Sequence, residues 1–178
     1  ALPDVAARFN ASHGARAHLC ESWEPVDGRA DLPEADPDDS PWEPAKGRTF
    51  PHALPCDRGS ARAGAAGHDD LAPAEQLIAS GIAMTPLWDE MAIDFAEELI
   101  ESEQLGRDDS PDLLVLALSG TDYIGHDYGP DSQELLDQLR RLDRRLGRFL
   151  ETLDRTPGPG GAIVALSADH GVQSAPER

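Results

Sequence analysis

Two short apolar runs, separated by a long amphipathic helix, dominate the pattern of hydrophobic positions along the chain. The runs cover residues 113–118 and 162–167. Continuous apolar runs of this length are typical of strands that are buried on both faces of a parallel sheet. Between them, apolar residues recur at steps of four and three and predict one stripe on a helix: Leu135, Leu139, Leu142, Leu146, Phe149 and Leu153. This order predicts a βαβ unit with parallel strands and a right-handed crossover.

The predicted crossover helix has recognisable ends. Asp131 is a suitable N-cap, and Glu134 three residues later completes a capping-box pattern. Residues 156–161, Thr-Pro-Gly-Pro-Gly-Gly, end the helix sharply. Five arginines between positions 140 and 148 predict a solvated basic face that could pair with acidic neighbours.

Two further helices are predicted upstream. A short helix follows Pro3 within residues 2–19. A second helix covers residues 90–105 and ends at Gly106, which favours a left-handed stop. Its spacing places Trp88, Met91, Ala92, Phe95, Leu99 and Ile100 on the apolar face, and Asp89, Glu90, Asp94, Glu97 and Glu98 on the other.

The segment from 21 to 84 has a different character from the rest of the chain. Its prolines recur at short intervals and exclude a long helix or a central strand. Apolar anchors nevertheless persist in it (Trp23, Trp42, Phe50 and Leu54), which a disordered linker would lack. We expect an irregular but ordered insertion across the domain surface, with residues 59–67 its most mobile part. Residues 85–178 then form an α/β core, and residues 1–178 a single partial domain.

The chain contains two cysteines, Cys20 and Cys56, which do not form a C-x-x-C motif. They could be unrelated thiols, or they could form a disulfide in an oxidising compartment. The sequence gives no distance between them, so both interpretations stay open.

Composition narrows the classes of partner. The 178 residues carry a net charge of −19, which disfavours binding to nucleic-acid backbones and to anionic membranes. No apolar run approaches the roughly 18–20 residues of a membrane span. The N-terminus shows no signal-peptide pattern. An anionic substrate would need local positive charge, which bound cations can supply.

An Asp/His pair follows each predicted strand. Asp122 and His126 come after the first strand, and Asp169 and His170 after the second. The carboxyl ends of parallel strands meet at one sheet edge, where ligands bind. Carboxylate oxygen and imidazole nitrogen are zinc ligands, and Gly125 would allow a tight turn that brings the first pair to one ion. A single D-x-x-x-H is usually meaningless, but its repetition predicts a metal site.

Beyond these pairs, His13, His18, His52 and His68 have no partner at metal-ligand spacing and are expected to be ordinary polar side chains.

The residues around both pairs resemble a known family. Ser119-Gly-Thr-Asp-Tyr-Ile-Gly-His-Asp-Tyr-Gly-Pro-Asp-Ser132, Leu142-Asp143 and Leu166-Ser-Ala-Asp-His-Gly-Val172 are similar to motifs of the alkaline phosphatase superfamily. The resemblance is strongest to bacterial alkaline phosphatases that are related to type I phosphodiesterases/nucleotide pyrophosphatases and use a threonine nucleophile. It implies an α/β sandwich whose mostly parallel central sheet is flanked by helices.

The resemblance also implies a function. Asp122 and His126 would ligate one zinc ion, and Asp169 and His170 a second. The activity would be hydrolysis of phosphate monoesters through a phosphoenzyme, on a small phosphate-ester substrate, in the periplasm or outside the cell.

By the same resemblance, the nucleophile and the phosphate-contacting Lys and Arg would precede Ala1, and a last histidine ligand would follow Arg178. Thr121 is not the nucleophile. We therefore expect an internal fragment that binds metal weakly or not at all and has no turnover alone.

Other functions stay open. The whole protein could prefer phosphodiesters, nucleotide pyrophosphates or sulfate esters, because relatives share these metal motifs. The His-Asp pairs at 68–69 and 126–127 also occur in HD hydrolases, but that all-helical fold suits a pair following a strand poorly. A non-catalytic binding module with vestigial metal motifs is the alternative outside enzymes. Oligomeric state is not predicted.

Overall fold

The computed structural model describes residues 3–41, 43, 47–56, 81–155, 161–174 and 176. The elements with defined bounds in this part of the chain are, in order, α1 (Asp4–Ser12), a 3₁₀ helix (Ala15–His18), β1 (Ser22–Trp23), β2 (His52–Ala53), α2 (Leu87–Ser102), α3 (Gly120–Tyr128) and α4 (Gln133–Arg155). Residues 81–83 are also helical. None of the described helices is both long and apolar enough to cross a lipid bilayer.

A two-stranded antiparallel ribbon ties the two ends of the Pro-rich segment together. Trp23 of β1 pairs with His52 of β2. A disulfide joins Cys20 to Cys56 just outside the ribbon, with Cα atoms 4.3 Å apart. This resolves the alternative that the sequence left open, because the ribbon brings together two cysteines that are 36 residues apart.

One part of the core lies where the ribbon meets α3 and α4. Its buried members are Trp23, Leu54, Ile82, Ile124 and Leu135. Trp23 and Leu54, two of the apolar anchors that the sequence predicts for the Pro-rich segment, are both buried in this cluster. The Trp23 indole N–H donates to buried Asp137 at 2.8 Å. Trp42, residues 59–67 and His68 lie outside the described residues.

The other part of the core lies between α2 and α4. It consists of Ile93, Ala96, Ile100 and Phe149, with Leu142, Leu146 and Leu153 packed against it. Helix α2 begins at Leu87, three residues before the predicted start. Asp89 was placed on the polar face of this helix, and that prediction is wrong. It is 1% exposed, because it lies on the same face as Ile93, Ala96 and Ile100, at steps of four, three and four residues.

The two predicted parallel strands are not formed in the described chain. Residues 113–118 and 162–167 have no regular secondary structure. A strand exists through hydrogen bonds to a neighbour, and the β1–β2 ribbon is the only sheet among the described residues. Burial still alternates along the first segment: Leu114, Leu116 and Leu118 pack on the α2–α4 core, whereas Leu113 is 87% exposed. In the second segment Ile163 is 99% exposed.

Helix α4 follows the predicted stripe, with three corrections. Ser132 is the cap, since its hydroxyl accepts the Leu135 N–H at 3.1 Å. Glu134 does not complete a capping box, because its carboxylate accepts a hydrogen bond from His52 at 2.8 Å instead. Leu139 of the stripe is exposed. The basic face pairs with acidic neighbours, as in the contact of Arg145 with Glu97 at 2.7 Å.

Candidate metal centre

Helix α3 places Asp122 and His126 side by side. Residues four apart lie on one face of an α-helix, so a helix, rather than the predicted tight turn at Gly125, brings the pair together. Ile124 lies about 200° of helix rotation from both and is completely buried. The same amphipathic rule that anchors Ile124 in the core therefore turns Asp122 and His126 outward.

The second pair approaches the first from the chain beyond α4. Asp122 Oδ1 is 3.5 Å from His126 Nε2 and also 3.5 Å from His170 Nε2. His170 Nε2 is 3.8 Å from Asp169 Oδ2. Asp122 is thus the centre of the contacts, and it faces one histidine from each predicted pair.

The orientation of the His170 ring is set by the backbone of the next residue, Gly171. Its Nδ1 lies 3.1 Å from the carbonyl oxygen of Gly171. A carbonyl can only accept, so Nδ1 donates and carries the proton. In the neutral ring, Nε2 then presents a lone pair towards Asp122, which is the tautomer that a metal-ligating histidine requires.

The cluster is open to solvent. The His126 side chain is 77% exposed and the Asp169 side chain 90%. The contacts are pairwise: within the described ranges, no three His, Cys, Asp or Glu side chains are arranged so that they could hold a metal ion. Two ligands per ion is what the family resemblance assigns to this stretch of chain.

A buried carboxylate that the sequence did not single out holds the start of α3. Asp89 Oδ1 accepts the Gly120 N–H at 2.9 Å, and its other oxygen accepts from Gln138 Nε2 at 2.7 Å. Burial raises the pKa of Asp89, while both hydrogen bonds favour its ionised form. The signal was present in the spacing of Asp89 from the apolar residues of α2, which are Ile93, Ala96 and Ile100.

A second buried polar group lies beneath the C-terminal end of α3. His52 Nε2 donates to Glu134 Oε1 at 2.8 Å, and the Tyr128 hydroxyl lies 3.4 Å from His52 Nδ1. Burial, with the nearby charges of Glu134 and Asp38, raises the pKa of Glu43 to about 8. These residues come from segments up to about a hundred positions apart, and nothing in their spacing indicates the group.

Comparison with known proteins assigns the chain to a family. Residues 30–178 match the sequence model of the type I phosphodiesterase/nucleotide pyrophosphatase family. The chain belongs to this family. The match covers both Asp/His pairs and the elements β2, α2, α3 and α4, and it confirms the resemblance drawn from the motifs.

Proteins similar to this chain include alkaline phosphatases and phosphodiesterases. Alkaline phosphatase PafA of Elizabethkingia meningoseptica is 40% identical over 104 residues, which cover 58% of this chain and 19% of that protein. Venom phosphodiesterase 2 of Crotalus adamanteus is 34% identical over 76 residues, covering 43% of this chain and 9% of that protein.

A crystal structure of wild-type alkaline phosphatase PafA superposes with a TM-score of 0.63 at 29% identity, covering 89% of this chain and 28% of that one. This similarity supports the α/β class. The chain spans less than a third of each of these proteins.

Proposed function

We propose that this chain supplies metal ligands to a zinc-dependent hydrolase of phosphate monoesters. The observation that carries the proposal is the convergence of His126 and His170 on Asp122, with both Nε2 atoms 3.5 Å from one carboxylate oxygen. Alkaline phosphatases among the relatives, including PafA, support the monoester class.

The residues fit zinc in donor chemistry and in spacing. With zinc–ligand bonds of about 2.0–2.2 Å, two ligands of a tetrahedral ion lie about 3.3–3.6 Å apart. The 3.5 Å between Asp122 Oδ1 and His126 Nε2, the pair assigned to one ion, matches that edge. The same separation between Asp122 Oδ1 and His170 Nε2 is too long for a good hydrogen bond, and it puts the two proposed ions side by side.

We assign Asp122 and His126 to one ion and Asp169 and His170 to another, as the family resemblance implies. Bound zinc would act as a Lewis acid that polarises a phosphoryl oxygen. The chain's own contribution is to orient the ligands: α3 fixes Asp122 and His126, and the Gly171 carbonyl fixes the His170 tautomer. The threonine that forms the phosphoenzyme in this branch is assigned to no residue of this chain.

The Cys20–Cys56 disulfide supports an extracytoplasmic location, since disulfides persist mainly in oxidising compartments. We therefore extend the proposal to a periplasmic or secreted hydrolase of small phosphate esters.

The test is hydrolysis by the product of the complete gene, with and without zinc. We expect p-nitrophenyl phosphate to be hydrolysed and the activity to be lost on chelation and in His126→Gln. The 178-residue chain, with two ligands for each ion, is expected to bind zinc weakly and to show no turnover. Robust turnover by this chain alone would contradict the assignment, and absence of zinc from the complete product would favour a non-catalytic module.

A second candidate is a phosphodiesterase, which the similarity to venom phosphodiesterase 2 supports. Bis-p-nitrophenyl phosphate and p-nitrophenyl sulfate, assayed in parallel, separate the alternatives. A higher kcat/KM for the diester would replace the monoester proposal, and a higher kcat/KM for the sulfate would indicate a sulfatase-like enzyme.

A further inference from the structure

The first turn of α3 is capped from another helix. At its N-cap position, the Ser119 side chain makes no capping hydrogen bond. The N–H of Gly120 is instead satisfied by Asp89 of α2, at 2.9 Å. Asp89 thus performs the role that an N-cap side chain normally performs within a helix.

This contact is held firmly on every side. Asp89 and Gln138 are each 1% exposed, and Gln138 of α4 donates to the second Asp89 oxygen at 2.7 Å. A Cβ atom at Gly120 would lie 2.8 Å from Asp89 Oδ2. The close approach of the carboxylate therefore requires glycine at this position, and three elements meet at one hydrogen-bonded point.

The capped turn is the one that carries Asp122. Asp122 is two residues after Gly120, and His126 follows one turn later. His170 approaches from a separate segment that has no hydrogen-bonded secondary structure. The convergence of His170 on Asp122 therefore depends on the rotation and axial position of α3. Asp89 holds the N-terminus of this helix, and Ile124 anchors its middle in the core.

We propose that Asp89, held by Gln138, is a positioning residue for the metal centre: it sets the orientation of α3 so that Asp122 and His126 face His170. The inference deepens the proposed function and rests on it for the zinc ligands. Residues that hydrogen-bond directly to metal ligands typically change metal affinity by about 10–100-fold when they are removed. Asp89 acts through the backbone of Gly120, and we expect an effect at the lower end of this range.

The experiment compares matched variants of the 178-residue chain by NMR. Asp89→Ala removes the cap, whereas Asp89→Asn keeps an oxygen for the Gly120 N–H and lets Gln138 turn its amide oxygen to the new N–H donors. Asp137→Ala is the control, because Asp137 is a buried carboxylate that accepts hydrogen bonds from Trp23, Val26 and Arg141 instead of from the backbone of α3. Like Asp89→Ala, Asp137→Ala removes a buried, hydrogen-bonded carboxylate and should destabilise the fold for the same reason.

Two quantities are measured in each variant under conditions where it is folded. The first is hydrogen exchange of the amides of Gly120 and Tyr123 relative to the most protected amides of α4. The second is the zinc dissociation constant from the ring signals of His126 and His170. Gly120→Ala, which crowds the same contact, is compared with Gly147→Ala, where a Cβ meets no atom within 4 Å.

We expect Asp89→Ala and Gly120→Ala to lose protection at the start of α3 and to weaken zinc binding by about 10-fold or more. Asp89→Asn should restore most of both quantities, and the control variants should leave zinc affinity within about 2-fold. Equal losses in Asp89→Ala and Asp137→Ala, or unchanged exchange at Gly120, would overturn the inference.

A result that contradicts the proposed function would differ from one that contradicts the role of Asp89. If zinc moves neither histidine signal in the native chain and the product of the complete gene also holds no zinc, the metal assignment is wrong, while the exchange of Gly120 and Tyr123 still decides whether Asp89 fixes α3.

Discussion

Glu43 makes the stability of this chain depend on pH in a direction opposite to that of an ordinary surface carboxylate. It is 6% exposed, and neither of its carboxylate oxygens has a hydrogen-bond partner among the described residues. Burial raises its pKa from 4.5 to about 8, with the negative charges of Glu134 and Asp38 adding to the effect and Arg48 opposing it. Glu43 is therefore protonated in the folded state at neutral pH.

The direction of this pH dependence follows from the number of protons that Glu43 binds in the folded and unfolded states. Between pH 4.5 and about 8 the folded state keeps a proton on Glu43 that the unfolded state has released. The free energy of unfolding therefore decreases as pH rises through this window. The full contribution of the protonated form is present below pH 4.5 and is lost above about pH 8.

The contribution of Glu43 to the pH dependence of the free energy of unfolding is large for a domain of this size. At 1.36 kcal/mol per pH unit, the interval from 4.5 to about 8 sets an upper limit of about 5 kcal/mol. Water that enters around the ionised carboxylate reduces this cost, so we expect about 2–4 kcal/mol. That is a substantial part of the roughly 5–15 kcal/mol that stabilises a typical domain.

Urea unfolding from pH 4.5 to 9 measures this contribution. Glu43→Gln mimics the protonated side chain. Its free energy of unfolding should exceed that of the native chain by about 2–4 kcal/mol at pH 9 and match it at pH 4.5. The exposed Glu98→Gln should follow the native curve within about 0.5 kcal/mol. A native curve that rises from pH 5 to 8, or a Glu43→Gln variant that gains nothing at pH 9, would refute the reasoning.

Three further perturbations test the packing around the site. Gly147→Ala, at an exposed helical position with open space for the methyl group, should stabilise by about 0.5–1 kcal/mol in urea unfolding; a loss would show that α4 is not helical there. Ile124→Ala should destabilise by about 2–5 kcal/mol because Ile124 is completely buried beneath the site, and a cost under 1 kcal/mol in the same assay would place α3 outside the core. Replacing Cys20 and Cys56 by serine should lower the free energy of unfolding by up to about 4 kcal/mol, which is the chain-entropy value for a separation of 36 residues. If both cysteines of the native chain react with a thiol reagent before reduction, no disulfide has formed.

The helices could be predicted from the sequence because their signals are local. The α4 stripe is visible as steps of four and three residues, and five of its six members are buried or pack in the core. Asp122 and His126 were paired from their spacing of four, although the prediction invoked a turn where the chain forms a helix. The pairing holds because residues four apart share one face of a helix.

The predictions that differ from the structure depend on contacts between distant parts of the sequence, which no local pattern indicates. The parallel strands require hydrogen-bonding neighbours, which the described residues do not provide. The pairing of Glu134 with His52 joins positions 82 residues apart, and it displaced the capping box expected from local sequence. The disulfide likewise depends on the distance created by the β1–β2 ribbon. Asp89 is the exception: its spacing from Ile93 and Ala96 is a local signal of burial, but the prediction assigned it to the polar face with the other acidic residues.

The central claim is that zinc binds to Asp122, His126, Asp169 and His170. X-ray absorption at the zinc edge of the zinc-loaded product of the complete gene tests it most directly, with Asp122→Asn and His170→Gln as matched variants. We predict nitrogen and oxygen ligands at about 2.0–2.2 Å with imidazole scattering, and partial loss of this signal in each variant, because each substitution removes one ligand of one ion. Sulfur ligands at about 2.3 Å, or a spectrum that neither substitution changes, would contradict the claim.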